Sequence, residues 1–126
     1  MPTQSAMGSH DNSWMHQSSR HMHMILSLDL SDDQRKKINQ LSDELKQKNL
    51  AAKSKIMDVS SKLRDLYAAD KRNPSAIGKE YQKIFDLKRK MIEETISTHN
   101  RIEETLTPEQ RDQLKGMCPM EEGNVN

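Results

Sequence analysis

Aromatic side chains are scarce in this 126-residue chain, which carries one Phe, one Trp and two Tyr. Its hydrophobic fraction is 33%, against ~45–50% for a typical globule, so any core must be thin. Four Gly and four Pro provide few turns, which argues against a sandwich, a barrel or a doubly wound sheet. The single cysteine, Cys118, excludes an intramolecular disulfide and leaves an interchain link, a metal bond or a free thiol. Neither sign of charge dominates: 20 Lys and Arg face 19 Asp and Glu, for a net charge of +1. No overall field therefore draws nucleic acid or acidic lipid. No apolar run approaches the ~20 residues needed to span a bilayer. A secretory signal with its apolar segment is also missing, so the chain as given is expected to be either cytoplasmic or a mature form whose signal has been removed. Catalysis finds no support, because there is no Gly-rich phosphate loop, no nucleophile motif and no Cys/His pair in a folded context.

What the chain has in quantity is charge, at 31% of residues, with both signs interspersed as on a solvated helix surface. Beneath it runs a helical stripe. Ile38, Leu41, Leu45, Ala52, Ile56, Val59, Leu63 and Leu66 recur at a mean spacing of roughly 3.5, which predicts a helix from Asp32 to about Ala69, ~55 Å long. Lys71-Arg72-Asn73-Pro74 then supplies basic residues and a proline stop. A second long helix follows, with Ile77, Tyr81, Ile84, Leu87, Met91, Ile102 and Leu106 near one face and Thr95 and Thr98 interrupting the stripe. Two long helices joined by a short turn predict an antiparallel hairpin. A thin stripe on each helix is better buried by a second hairpin, so the expected fold is all-α, a long helical hairpin with short flanking helices that associates as a homodimer. The expected organisation is a flexible arm over 1–19, a helical domain over 20–116 with a short helix near Arg20–Leu28, and a tail over 117–126. Gly8-Ser9-His10 in the arm is also consistent with a vector remnant.

One phrase occurs twice, as Leu30-Ser31-Asp32-Asp33-Gln34 and as Leu106-Thr107-Pro108-Glu109-Gln110. Each has the makings of a capping box: the Ser31 or Thr107 hydroxyl accepts from a free backbone N–H, and Gln34 or Gln110 reaches back to the N–H of the cap. The acidic residues suit the positive helix end, and Pro108 sits where a missing N–H costs nothing. Each preceding leucine is placed as a hydrophobic staple. The second phrase predicts a short helix to about Lys115, closed by Gly116. This doubled Leu-[Ser/Thr]-x-x-Gln phrase resembles the Leu-Thr-x-x-Gln motif of the Spy/CpxP family of bacterial periplasmic proteins, and Asn100 to Gln110 resembles it especially. The resemblance covers roughly His21 to Lys115. It implies a mature periplasmic protein, and the family includes ATP-independent stress chaperones and metal-responsive members of the ZraP and CnrX kind.

Candidate chemistry lies outside that frame. The first group is His10, Met15, His16, His21, Met22, His23 and Met24, whose imidazoles and thioethers suit Cu(I), while imidazoles alone also suit Zn(II), Ni(II) or Cu(II). In an extended segment His21 and His23 share a side; in a helix they lie about 200° apart. A second candidate is His99 with Glu103, one helical turn on. A third is Met117-Cys118-Pro119-Met120, a soft thiolate and thioether group. The resemblance to CnrX-like members puts His21 on a ligand-like position, while the other aligned positions hold Ile25, Ser42, Thr98 and Ile102, which cannot supply the imidazole, carboxylate and thioether of such a site. Neighbouring Asp43 and His99 could substitute only with a shifted geometry. The expected function is periplasmic metal binding in envelope stress or metal resistance, with copper or zinc and no organic cofactor. The alternatives are an ATP-independent holdase for unfolded clients and a structural coiled-coil adaptor; a sensor protein is a further expected partner.

Overall fold

The computed structural model describes residues 13–117, and among them four helices and no strand occur. They are α1 (Ser13–Leu26), α2 (Asp32–Ala68), α3 (Pro74–Glu104) and α4 (Pro108–Gly116). The all-α class and the hairpin-like arrangement expected from the sequence are both observed. The chain divides into two compact units: Gln40–His99, and a second formed by Met1–Asn39 together with Asn100–Asn126. The long helices α2 and α3 contribute residues to each.

The Gln40–His99 unit is an antiparallel hairpin. Its cross-links run from Lys48–Glu94 (3.1 Å) through Lys62–Glu80 (3.8 Å) to the hydroxyls of Tyr67 and Tyr81 (3.4 Å), so partner numbers fall on α3 as they rise on α2. Leu41, Leu63, Ile84 and Met91 are buried. Leu45, Ala52, Ile56, Val59, Leu66, Ile77 and Leu87 are only half-buried, which is the thin seam that the composition anticipates. Three stripe positions differ from expectation. Glu80 and Ile84, one turn apart, take the inward positions near the start of α3, so Tyr81 turns outward and is 37% exposed. Thr95 and Thr98 do not leave the seam; they lie four and seven residues beyond Met91 and are buried with it. Their hydroxyls bring polarity inside. Thr95 Oγ1 and Asn49 Oδ1 have no hydrogen-bond partner among the described residues, a cost of about 1–3 kcal/mol for each fully desolvated group. The Glu80 carboxylate is held by Lys83 at 3.0 Å and Lys62 at 3.8 Å, which lowers the cost of burying its charge.

The first long helix ends at Ala68, ahead of the expected proline stop, and Pro74 instead begins the next helix. The Asn73 side-chain oxygen accepts from the Ala76 N–H at 3.2 Å and its carbonyl accepts from the Ile77 N–H at 3.0 Å, so Asn73 caps α3 and Pro74 takes the first helical position.

In the unit that holds both chain ends, α1 begins at Ser13, well before the expected Arg20, so the stretch up to Ser19 is helical. The reason is a stripe that starts further back: Trp14, Ser18, His21, Met22 and Ile25 fall at helical spacing, and all are half-buried or buried. Ile25, Leu28, Leu30, Ile38, Ile102, Leu106 and Leu114 form the core here.

Both capping boxes are formed. Gln34 N–H donates to Ser31 Oγ (3.1 Å) and Ser31 N–H to Gln34 Oε1 (2.9 Å); the Thr107–Gln110 pair repeats this at 3.2 and 2.9 Å. The two glutamines also bind each other: Gln34 Nε2 donates to Gln110 Oε1 (2.8 Å) and Gln110 Nε2 to Gln34 Oε1 (3.3 Å). The second N–H of Gln34 donates to the Thr105 carbonyl (2.9 Å), and that of Gln110 to the Asp29 carbonyl (2.8 Å). Asp29 and Thr105 each immediately precede the leucine of a motif. Every donor and acceptor of both amides is thereby used. At the far end α4 closes on Met117 in a right-handed conformation, and no described glycine has a positive φ, so Gly116 does not serve as a left-handed stop.

Replacing Gln34 or Gln110 by alanine is expected to destabilise the protein by about 1–3 kcal/mol, because each loss strands groups of the other amide. The double variant should cost clearly less than the sum, and a double-mutant cycle from urea unfolding measures the difference. Gly78, on exposed helix with nothing within 4 Å of an added Cβ, offers the opposite test. Gly78→Ala should raise stability by about 0.5–1 kcal/mol in the same assay.

Candidate functional site

His21 lies on the inner stripe of α1 and Glu103 in the last turn of α3, beside the fully buried Ile102. Their side chains meet at 2.8 Å, His21 Nε2 to Glu103 Oε2. The imidazole is 18% exposed and the carboxylate 39%, so solvent reaches the carboxylate while the ring is largely covered. The contact joins residues 82 positions apart, and the core around Ile25 and Ile102 brings them together. A part-buried hydrogen bond of this kind contributes on the order of 1 kcal/mol. Its chemical interest is that an imidazole nitrogen and a carboxylate oxygen already converge. A tetrahedral ion with ligands at about 2.0–2.2 Å would hold two such atoms roughly 3.3 Å apart, so a small opening of the pair suffices to admit one.

The remaining candidates are distributed by the helix. His23 falls about 200° from His21 and is exposed, as is His16, two turns back on the outer face. Met15 and Met22 are half-buried two turns apart, and half-buried Met24 lies one turn from His21. Met117 is exposed, and its thioether sulfur accepts from the Ser27 hydroxyl at 3.8 Å, which sets it at the end of α1. His10, Cys118 and Met120 lie outside the described residues. His99 is buried within the Gln40–His99 unit. Glu103 bonds to His21. Among the described residues no three His, Cys, Asp or Glu side chains converge as a metal-binding group.

Of the positions that the resemblance to CnrX-like members singles out, Ile25 and Ile102 are fully buried, Thr98 is buried and Ser42 is half-buried. Ile25 and Ile102 are core residues here, so they add no donor atom. Periodicity on α1, carried back to Trp14, is the signal that would have placed His21 facing inward.

These features define a class: an all-α hairpin whose two chain ends are tied by paired capping motifs, with a histidine–carboxylate pair beside the tie. The chain belongs to the heavy-metal resistance family, whose sequence pattern matches residues 1–113 and which includes the Spy-, CpxP-, ZraP- and CnrX-like proteins. No curated protein and no solved structure matches it. Among the described residues, no helix is long and apolar enough to cross a membrane.

Proposed function

We propose that the chain is a periplasmic metal-resistance protein that binds copper or zinc without catalysis, with His21 and Glu103 as the ordered nucleus of its site. The 2.8 Å His21–Glu103 contact carries this reading, because it joins two ligand types from two helices at a solvent-reachable point. An imidazole and a carboxylate serve Zn(II) or Cu(II). A thioether from Met24 or Met117 would bias the set toward Cu(I). Two protein ligands leave the coordination sphere open, and water fills the rest of it.

Calorimetric titration of the full chain with Zn(II), and competition titration with Cu(I), test the proposal. His21→Ala and Glu103→Ala should each weaken binding by about tenfold or more, in line with loss of one ligand of a small set. Equal affinity in wild type and both variants would exclude these two residues as ligands.

A second reading, an ATP-independent holdase working as a homodimer, draws on a separate observation. Leu50, Met57, Phe85, Ile92 and Ile96 are 55, 70, 59, 38 and 54% exposed, all in the hairpin unit. Leu50 and Met57 lie two turns apart on α2, and Phe85, Ile92 and Ile96 recur at steps of seven and four on α3, so each set shares one helix face suited to contact, and the Met and Leu among them give adaptable packing. Phe85→Glu with Ile92→Glu should convert a dimer to monomer in light scattering and reduce suppression of client aggregation. Unchanged mass and unchanged suppression would remove this surface from the account.

A further inference from the structure

Three of the four aromatic residues of the chain gather at the turn end of the hairpin unit, although that seam does not need them as core. Tyr67 near the end of α2 and Tyr81 early in α3 are 44% and 37% exposed, and their hydroxyl oxygens are 3.4 Å apart. These are the only two tyrosines in the sequence. Their rings are also held in place. Phe85 stacks on Tyr81 with ring centroids 6.2 Å apart, and the Arg72 guanidinium lies 6.0 Å from the centre of the Tyr67 ring while donating to the Tyr67 carbonyl at 3.2 Å.

We infer that Tyr67 and Tyr81 form an oxidative modification site, at which a one-electron oxidant joins the two rings into an intrachain dityrosine that staples the tip of the hairpin. The oxidant class is hydrogen peroxide activated by a redox-cycling transition-metal ion. Each phenol gives up one electron and releases its hydroxyl proton to water, leaving a radical shared between the oxygen and the ring carbons ortho to it. The two radicals couple through one ortho carbon on each ring, forming a C–C bond. Each of those carbons then loses its hydrogen as a proton while each oxygen takes one up, so both phenols are restored. In sum two ring hydrogens and two electrons leave, and peroxide accepts two electrons and two protons to give two waters.

The geometry favours this pair over random coupling. The phenols face each other across the turn, and the ring torsion of a tyrosine is soft enough to bring the ortho carbons together. Holding both partners at contact replaces a collision between chains with an intramolecular step. The hydrogen bond with Tyr67 pushes the Tyr81 pKa above its ordinary value of 10, the direction expected when the Tyr81 hydroxyl donates and the Tyr67 oxygen accepts. The inference is independent of whether this chain binds metal at His21, since the oxidant arrives from solution. For a protein exposed to excess redox-active metal, such a pair is an exposed radical sink whose product also strengthens the fold.

The test treats dilute full-length protein with hydrogen peroxide and catalytic copper(II) salt, then reads dityrosine fluorescence and the mass of the digested chain. The expected product is a peptide pair joining Tyr67 to Tyr81 with two hydrogens missing, on monomeric protein, with a yield independent of protein concentration. Folding should raise that yield by about tenfold over the same chain in urea, and Tyr67→Phe and Tyr81→Phe should each abolish it. Links found only between chains, an equal yield in urea, or an intact signal in either phenylalanine variant would overturn the inference.

Discussion

The pair of amides at Gln34 and Gln110 does something that neither capping motif does alone: it turns two helix starts, 76 residues apart, into one closed hydrogen-bonded circuit. Each glutamine serves its own helix, its counterpart and the backbone just before the other motif. In a chain with so little apolar mass, such a circuit contributes a specificity that burial cannot supply. A thin leucine and isoleucine seam tolerates sliding, whereas a fully used set of donors and acceptors admits one arrangement. The core of Ile25, Ile38, Ile102 and Leu106 forms within the same unit, and that core carries His21 to Glu103.

The hairpin unit is stabilised differently. Its seam mixes half-buried aliphatics with Thr95, Thr98, Asn49 and the lysine-flanked Glu80. Polar groups inside a two-helix seam weaken it but help fix its register, because a shift by one turn would carry the buried Glu80 carboxylate away from Lys62 on α2. Meanwhile Leu50, Met57, Phe85, Ile92 and Ile96 remain outside. The two units thus divide the work: one holds the chain ends and the histidine–carboxylate pair, and the other presents apolar surface.

Much of this was legible from residue order. The 3.5-residue stripes, the Asn73-Pro74 turn and both capping boxes follow from local rules, and α2, α3 and α4 lie close to where those rules put them. Three features were not. The extension of α1 to Ser13 depends on Trp14 and Ser18 finding a surface to cover, which only the folded unit supplies. Tyr81 left the core because Glu80 took the inward position with lysine partners from both helices, a tertiary compensation that hydropathy does not score. The bond from His21 to Glu103 spans 82 residues, and no spacing rule reaches that far.

The length of that span bears on the order in which the molecule assembles. Contacts across the α2–α3 turn, such as Tyr67 with Tyr81, close a loop of 14 residues, while Gln34 with Gln110 and His21 with Glu103 close loops of 76 and 82. Loop-closure entropy grows with length, so a folding chain zips the hairpin from its turn and reaches the glutamine circuit late. An ion that bridged His21 and Glu103 would therefore clasp the longest of these loops, and would act as a latch on a late step of folding.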